Sequence, residues 1–489
     1  MADSGQEKAS GVPHVVVVGG GIAGLAAAFF LRDEPVRLTV LEGASRLGGK
    51  LAVSEVEGFA VDEGAESLYA RRPKTSRLIT EAGLGDQLVT ASLPGMGIWT
   101  RDDMRGLPAR QFMGVPSDME ELAKARLLSA DGLARAREDL ELPALDRDGD
   151  VSVASYVAGR QGQEVVDRLV DPFLGDAFAG RADELSFEAT LAPLAAASRK
   201  YSSLAEAAGS LIPQPLPEGE KPTTGIATLT GGLGTLPPVL AERLLAASPG
   251  ATVRTGAVVE ELVRRERGWR LTVGSGAGSE YIDADAVVVA VPAGSAGRLL
   301  AGVSGAGQAA AGLAEIPYAS TAIITLAYTR SAFSAGFAGL RRLGASGYRV
   351  PAVEGRKVRV VTFLNMKWPH LAGDLQIVRC QAGGSGEEKL MELDDAELGA
   401  LAASEFAATT GLVGGPVATR VSRWEASMPQ YTVGHLDRVE RIRASVAAQP
   451  GLAVCGAAYD GAGVGNCVAT ARKAADEVLT WLRRDTTAR

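Results

Sequence analysis

The chain has 489 residues, of which 46% are apolar and 22% charged; this is the balance of a globular protein and too much chain for one simple core. With 50 basic and 58 acidic residues the net charge is −8, which argues against a nucleic-acid partner and gives no help for docking on anionic lipid. Three cysteines (Cys380, Cys455, Cys467) without a CxxC, and three scattered histidines (His14, His370, His435), exclude a disulfide framework and speak against a metal site or a Ser-His-Asp relay. The expectation is a reducing, cytoplasmic compartment and no metal.

Residues 1–14 mix both charge signs without the apolar segment of a signal peptide. The longest uncharged apolar run, 15–31, is broken by Gly19, Gly20 and Gly21 and falls short of the ~20 residues that span a bilayer. No integral membrane segment is expected. The run reads instead as a buried β-branched strand (15–18), a glycine turn and a helix (22–31), with a second strand at 36–41 completing a βαβ unit. From about 78 to 209 helical spacing dominates, as in 118–137 and 152–173, with an exposed loop at 147–150. A Pro-rich connector follows at 213–222. Strands return at 251–263, 269–273 and 285–291, with a glycine-rich turn at 274–280, and again at 321–328 and 358–364. A short buried strand at 452–455 leads to a last helix over about 465–482. No internal repeat is present. The ends and the middle are alike in class while 75–210 looks inserted.

Gly19-Gly20-Gly21-Ile22-Ala23-Gly24 fits GxGxxG. Gly19 permits the tight turn, Gly21 lets a pyrophosphate approach the backbone, and Gly24 lets helix and strand pack closely. The phosphates would sit on the positive end of the helix. The motif follows a strand, opens a helix and precedes an acidic residue, Glu42, that ends the next strand and suits ribose hydroxyls. Further glycines in Arg46-Leu47-Gly48-Gly49-Lys50, Gly58-Phe59 and Asp62-Glu63-Gly64 suit a ligand that runs past the first βα unit, as FAD does and NAD does not. A third glycine loop, 456–466, feeds the last helix and would suit the N1–C2=O edge of a reduced flavin. Taken singly, each stretch is also explained as a glycine-rich turn or a helix cap.

Residues 15–67 resemble the FAD fingerprint of the amine-oxidase superfamily. Gly64-Ala65-Glu66-Ser67 with Arg71-Arg72-Pro73, Phe178-Ala179-Gly180 with Glu184-Leu185-Ser186, Thr230-Gly231-Gly232-Leu233-Gly234, Lys367-Trp368-Pro369-His370, and Pro429-Gln430-Tyr431 with Gly434-His435-Leu436 narrow the likeness to the protoporphyrinogen/coproporphyrinogen III oxidases, over nearly the whole chain. It resembles most the coproporphyrinogen type of Gram-positive bacteria. The resemblance implies an α/β fold with a discontinuous Rossmann-like FAD-binding domain (12–70, 222–295, 425–489), a β-rich substrate domain (71–92, 200–221, 296–424) and a helical insertion (93–199). It implies non-covalent FAD: Gly19, Gly20, Gly21, Ile22, Ala23 and Gly24 at the pyrophosphate, Glu42 and Gly43 at the ribose, Val259 at the adenine. Lys50, Gly64, Ala65, Glu66 and Ser67 would line the flavin, closed over by Trp424, Ala462, Gly463 and Val464. The implied substrate is a porphyrinogen, oxidised with dioxygen as acceptor.

Arg71 and Arg72, just after the flavin-lining loop, are candidates to steer propionates, with Lys367 a weaker third. No general base is singled out. Two positions depart from the family pattern: Asp176 stands where relatives tend to have Gly, and Gly465-Asn466 replaces an Asn-Asp-like pair. Protoporphyrinogen as substrate, another flavin oxidase acting on amines or polyenes, and a non-catalytic flavoprotein remain as alternatives.

Overall fold

The β-branched run Val15–Val18 makes the strand His14–Val18 a core strand, buried at every position. The computed structural model describes residues 11–70, 73–93, 95–144, 149–213, 225–274, 278–333 and 343–487. His14–Val18 lies at the centre of a five-stranded, wholly parallel sheet in the order Thr252–Arg254, Arg37–Leu41, His14–Val18, Ala286–Val289, Leu452–Val454. Neighbours in space are thus drawn from both ends and the middle of the chain. Val15 and Val17 face one core with the helices Ile22–Leu31, Leu236–Ala247 and Val464–Thr487. Val16 and Val18 face the other, with the helices Ala293–Ala301, Gly307–Ala314 and His435–Ala447 and the meander Val259–Arg264, Trp269–Val273, Glu280–Ala284. Period-2 alternation in one apolar run therefore supplies both layers.

A second sheet has seven strands, ordered Ala418–Pro429, Tyr318–Thr329, Leu375–Gly383, Val358–Phe363, Ala345–Arg349, Gly95–Thr100, Asp103–Gly106. Ile324, Cys380, Val361 and Tyr348 point to the side where Phe406 of the helix Asp395–Thr410 packs. That helix opens with a capping box between Asp394 and Glu397 and stops at Gly411 in the left-handed region.

The helical region has its own core, from Val115 to Ala208, which also takes in Ile98 of the seven-stranded sheet. It is stapled by Arg160, 2% exposed, whose Nε donates to Asp139 Oδ1 at 2.6 Å and whose Nη2 donates to the Ser202 carbonyl at 2.8 Å. Asp139 in turn accepts from the Leu204 and Ala205 N–H groups at 3.1 and 2.8 Å, capping the helix Leu204–Ser210.

Boundaries differ from the sequence expectation in three places. The segment 93–199 begins with two strands of the seven-stranded sheet, and the helical core continues to Leu204–Ser210, because burial of Leu204, Ala205, Ala207 and Ala208 needs the other helices. The stretch 118–137 is two helices, since Arg126 adopts φ 53° and ends the first. The strand Ala418–Pro429 crosses the 424/425 boundary. Of the loops expected at 147–150, 213–222 and 274–280, residues 147–148, 214–222 and 275–277 lie outside the described residues.

Candidate functional site

The first turn is dictated from three sides. Gly19 has φ 113°, and a Cβ there would lie 2.6 Å from the Ala290 carbonyl oxygen. At Gly24 a Cβ would overlap the Gly19 carbonyl, so helix and turn are locked together only without side chains. Gly21, the helix N-cap, has open space where its Cβ would stand. Two glycines thus answer to the protein, and the middle one leaves room for something else. Ile22 is half-buried and Ala23 buried beneath the helix start.

Glu42 ends the adjacent strand and accepts from the Gly20 N–H at 2.7 Å and the Ala44 N–H at 2.7 Å. The Ala257 N–H donates to the Glu42 carbonyl at 2.8 Å, and Gly43 sits beside Val258. Val259, half-buried at the start of the meander, is thereby brought next to the acidic end of the strand.

The second glycine loop folds back on the first. The Gly48 N–H donates to the Gly20 carbonyl at 2.9 Å. Lys50 then enters a half-buried position 5.6 Å over the Tyr318 ring, with no ion pair among the described residues. Burial pulls its amine below the usual lysine range, with Cys467 nearby. Burial likewise pushes the Cys467 thiol up to about 11, against the pull of Lys50, so this cysteine is no ready nucleophile. The Ala65 N–H donates to the Lys50 carbonyl at 3.2 Å, and the Trp424 Nε1–H donates to the Glu63 carbonyl at 2.7 Å. A Cβ on Gly64 would overlap the Lys50 carbonyl and stand 3.1 Å from the Trp424 ring. Residues 46–50, 63–67 and Trp424 therefore form one assembly, with Ser67 half-buried at its end.

Behind that loop Glu66 is buried between two cations. Lys367 Nζ donates to Glu66 Oε1, Arg379 Nη1 lies 3.3 Å from Glu66 Oε2, and Arg379 Nη2 donates to the Gly64 carbonyl. Burial alone would raise the Glu66 carboxyl, but the charges of Lys367 and Arg379 outweigh it and hold it below the usual range. Lys367 is thus engaged by Glu66. Arg71 and Arg72 lie outside the described residues.

The third loop arrives from the strand Leu452–Val454. Gly456 comes within 4.0 Å of Ala23, measured from an ideal Cβ, so both helix N-termini open at the same end of the sheet. The Tyr431 hydroxyl donates to the Ala457 carbonyl, and the Asn466 amide tucks beneath Gly461. Ala462 is half-buried, Val464 buried, and Gly463 exposed with open space at its missing Cβ. Asn466 is therefore a local brace, which gives the Gly465-Asn466 departure a structural use.

Asp176, the other departure, is paired. Arg349 donates through Nε to Asp176 Oδ2 at 2.8 Å and lies 3.9 Å over the Phe173 ring. Reading single positions missed Arg349, Arg379 and Tyr318, whose neighbours come from distant strands.

Open space at Gly21 and Gly463, together with a half-buried Lys50 that has no ion pair among the described residues, fits an extended dinucleotide whose phosphates take helix N–H groups and whose ring takes a cation. Among the described residues no group of three or more His, Cys, Asp or Glu could hold a metal, and no helix is long and apolar enough to cross a membrane.

Comparison with known proteins adds the chemistry. The family model for flavin-containing amine oxidoreductases matches residues 22–479. The coproporphyrinogen III oxidase of Bacillus subtilis (strain 168) is 29% identical, covering 96% of this chain and 99% of that protein. The coproporphyrinogen III oxidase of Mycobacterium bovis is 34% identical, covering 95% and 97%. A crystal structure from Exiguobacterium sp. 255-15, provisionally designated a protoporphyrinogen oxidase, superposes with a TM-score of 0.82 at 28% identity, covering 96% of this chain and 99% of that one.

Proposed function

Since the chain belongs to the flavin-containing amine oxidoreductase family, we propose that it uses FAD to oxidise coproporphyrinogen III to coproporphyrin III in heme biosynthesis, in the cytoplasm. End-to-end similarity to two coproporphyrinogen III oxidases, at 29% and 34% identity, is the observation that carries this reading. Six hydrogens leave the macrocycle as three pairs, and three dioxygen molecules accept them as three hydrogen peroxides. The bound flavin supplies the two-electron acceptor for each pair.

The chain's residues bind, orient and exclude water. Gly19 to Gly24 hold the diphosphate, with Gly19 and Gly20 shaping the turn and the N–H groups at the helix start donating to it, Glu42 and Gly43 hold the ribose, and Val259 the adenine. Lys50, Gly64 to Ser67, Trp424 and Ala462 to Val464 hold the ring. Residues 12–70, 222–295 and 425–489 form the cofactor-holding part; 71–92, 200–221 and 296–424 the substrate part; and 93–199 the insertion, with the shifts of boundary described above. Arg71 and Arg72 steer propionates, with Lys367 a weaker third. No side chain is needed as a general base when an electron-rich macrocycle is held within reach of the acceptor.

FAD-loaded protein is to be mixed with coproporphyrinogen III and, separately, with protoporphyrinogen IX, and porphyrin fluorescence and peroxide followed. The expected result is faster appearance of coproporphyrin, with about three peroxides per porphyrin by the hydrogen balance above. No fluorescence from either substrate overturns the reading. Faster oxidation of protoporphyrinogen replaces it with the second reading, which the Exiguobacterium structure favours.

A further inference from the structure

Strand register places Ile323, Gln381, Val360 and Arg349 side by side across four strands of the seven-stranded sheet. Thr321, two residues before Ile323, pairs with Trp424, so all these side chains share the face that carries Trp424 toward the Gly64 loop. The opposite face is the apolar core under Phe406. This face leads from the Gly64 loop to Arg349, with Ile323 and Val360 buried along it.

The helix Asp171–Phe178 covers this face. Gln381 Nε2 donates to the Gly175 carbonyl at 3.1 Å, and Arg349 takes Asp176. The Arg349–Asp176 contact is one-sided. Nε and Nη2 reach the same oxygen, Oδ2, at 2.8 and 2.6 Å, so a single edge of the guanidinium is used and the two-oxygen fork is not formed. Phe173 stacks on the guanidinium and holds its plane. The Arg349 side chain is 10% exposed and that of Asp176 30%, which leaves the acid as the outer, displaceable member of the pair.

We propose that Arg349 receives a propionate of the porphyrinogen, and that Asp176 is the resident carboxylate which orients Arg349 and yields to that propionate. The proposal rests on the porphyrinogen reading and deepens it by naming the specificity-determining residue. Asp176 then balances the arginine's charge in the free protein, where a lone cation at 10% exposure would be poorly solvated.

The test uses FAD-loaded full-length protein and the fluorescence anisotropy of coproporphyrin III, set against its tetramethyl ester in the same detergent. The ester keeps the ring and removes the carboxylates. R349Q is expected to weaken the tetra-acid about ten- to hundredfold, as loss of a charge-assisted hydrogen bond does, and to leave the ester within about twofold. R349K is expected to recover part of the loss. D176N is expected to tighten the tetra-acid severalfold by removing the competitor. The neutral double variant D176N/R349Q, which leaves no unpaired charge, guards against a folding defect and is expected to behave like R349Q. Equal loss for acid and ester, or no loss for either, overturns the proposal and makes the pair a brace between helix and sheet. If the unaltered protein binds neither acid nor ester, it is the porphyrinogen reading itself that fails.

Discussion

The three glycines of the first turn answer to different neighbours, which makes their substitutions separable. Gly24→Ala forces a methyl onto the Gly19 carbonyl, and overpacking of this kind costs about 1–3 kcal/mol. Gly21 has φ −72° and ψ 176°, which alanine adopts freely, and open space beyond. Gly21→Ala is therefore expected to leave the thermal stability of FAD-free protein unchanged while lowering FAD affinity at least about tenfold, a loss of ~1.4 kcal/mol, measured by flavin fluorescence. Two buried groups also set opposing pH dependences. Burial pulls His435, stacked on Tyr431, down to about 4, so its contribution is present above the unfolded value of 6.5 and is lost as pH falls toward 4. Burial pushes Asp62 up to about 6, although it accepts from the Leu233 and Gly234 N–H groups, so its contribution is present below 3.8 and is lost as pH rises toward 6. Each amounts to about 3 kcal/mol, and between pH 4 and 6 they offset each other. In urea unfolding, the stability of His435→Phe relative to the unaltered protein is expected to fall as pH rises from 4 to 6, and that of Asp62→Asn to rise.

At the level of elements, two buried ion pairs hold segments that cannot hold themselves. Short helices such as Leu204–Ser210 are marginal alone, and here Asp139 caps the helix while Arg160 ties Asp139 to the neighbouring segment. Arg160→Ala leaves Asp139 buried without its cation and is expected to cost about 3–5 kcal/mol. Hydrogen exchange should accelerate across 119–210 while the amides of the five-stranded sheet keep their protection. Glu66 does the same for the loop of residues 64–67. Glu66→Gln strands Lys367 and Arg379 at a buried position, and its expected signature is a shifted flavin absorption spectrum together with lower stability. The spectral shift separates loop placement from stability alone, because Arg379 also binds the Gly64 carbonyl.

The whole molecule is organised around a site that three distant stretches, near residues 20, 65 and 460, build only when the five-stranded sheet closes. Cofactor binding and global stability are therefore linked. A ligand held by the native state alone, at a hundred times its dissociation constant, adds about 2.7 kcal/mol. Stripping FAD is expected to lower Tm and re-addition to restore it in a concentration-dependent way; a Tm indifferent to FAD contradicts the cradle.

What the amino-acid order determined by itself is local. The run Val15–Val18, the GxGxxG turn, Glu42 at the next strand's end and the glycine loop before the last helix all carry their reasons within a few residues, because turns, caps and β-branched alternation act over short spans. Tertiary structure decided which charges meet. Lys367 pairs with Glu66 across 301 positions and Arg349 with Asp176 across 173, so neither pairing was legible before strand register was known. The same holds for the strands at 95–106, whose place in the seven-stranded sheet follows from the partner at Ala345–Arg349 and not from their own pattern. Periodicity tells a residue which face it occupies; only the packed fold tells it what stands opposite.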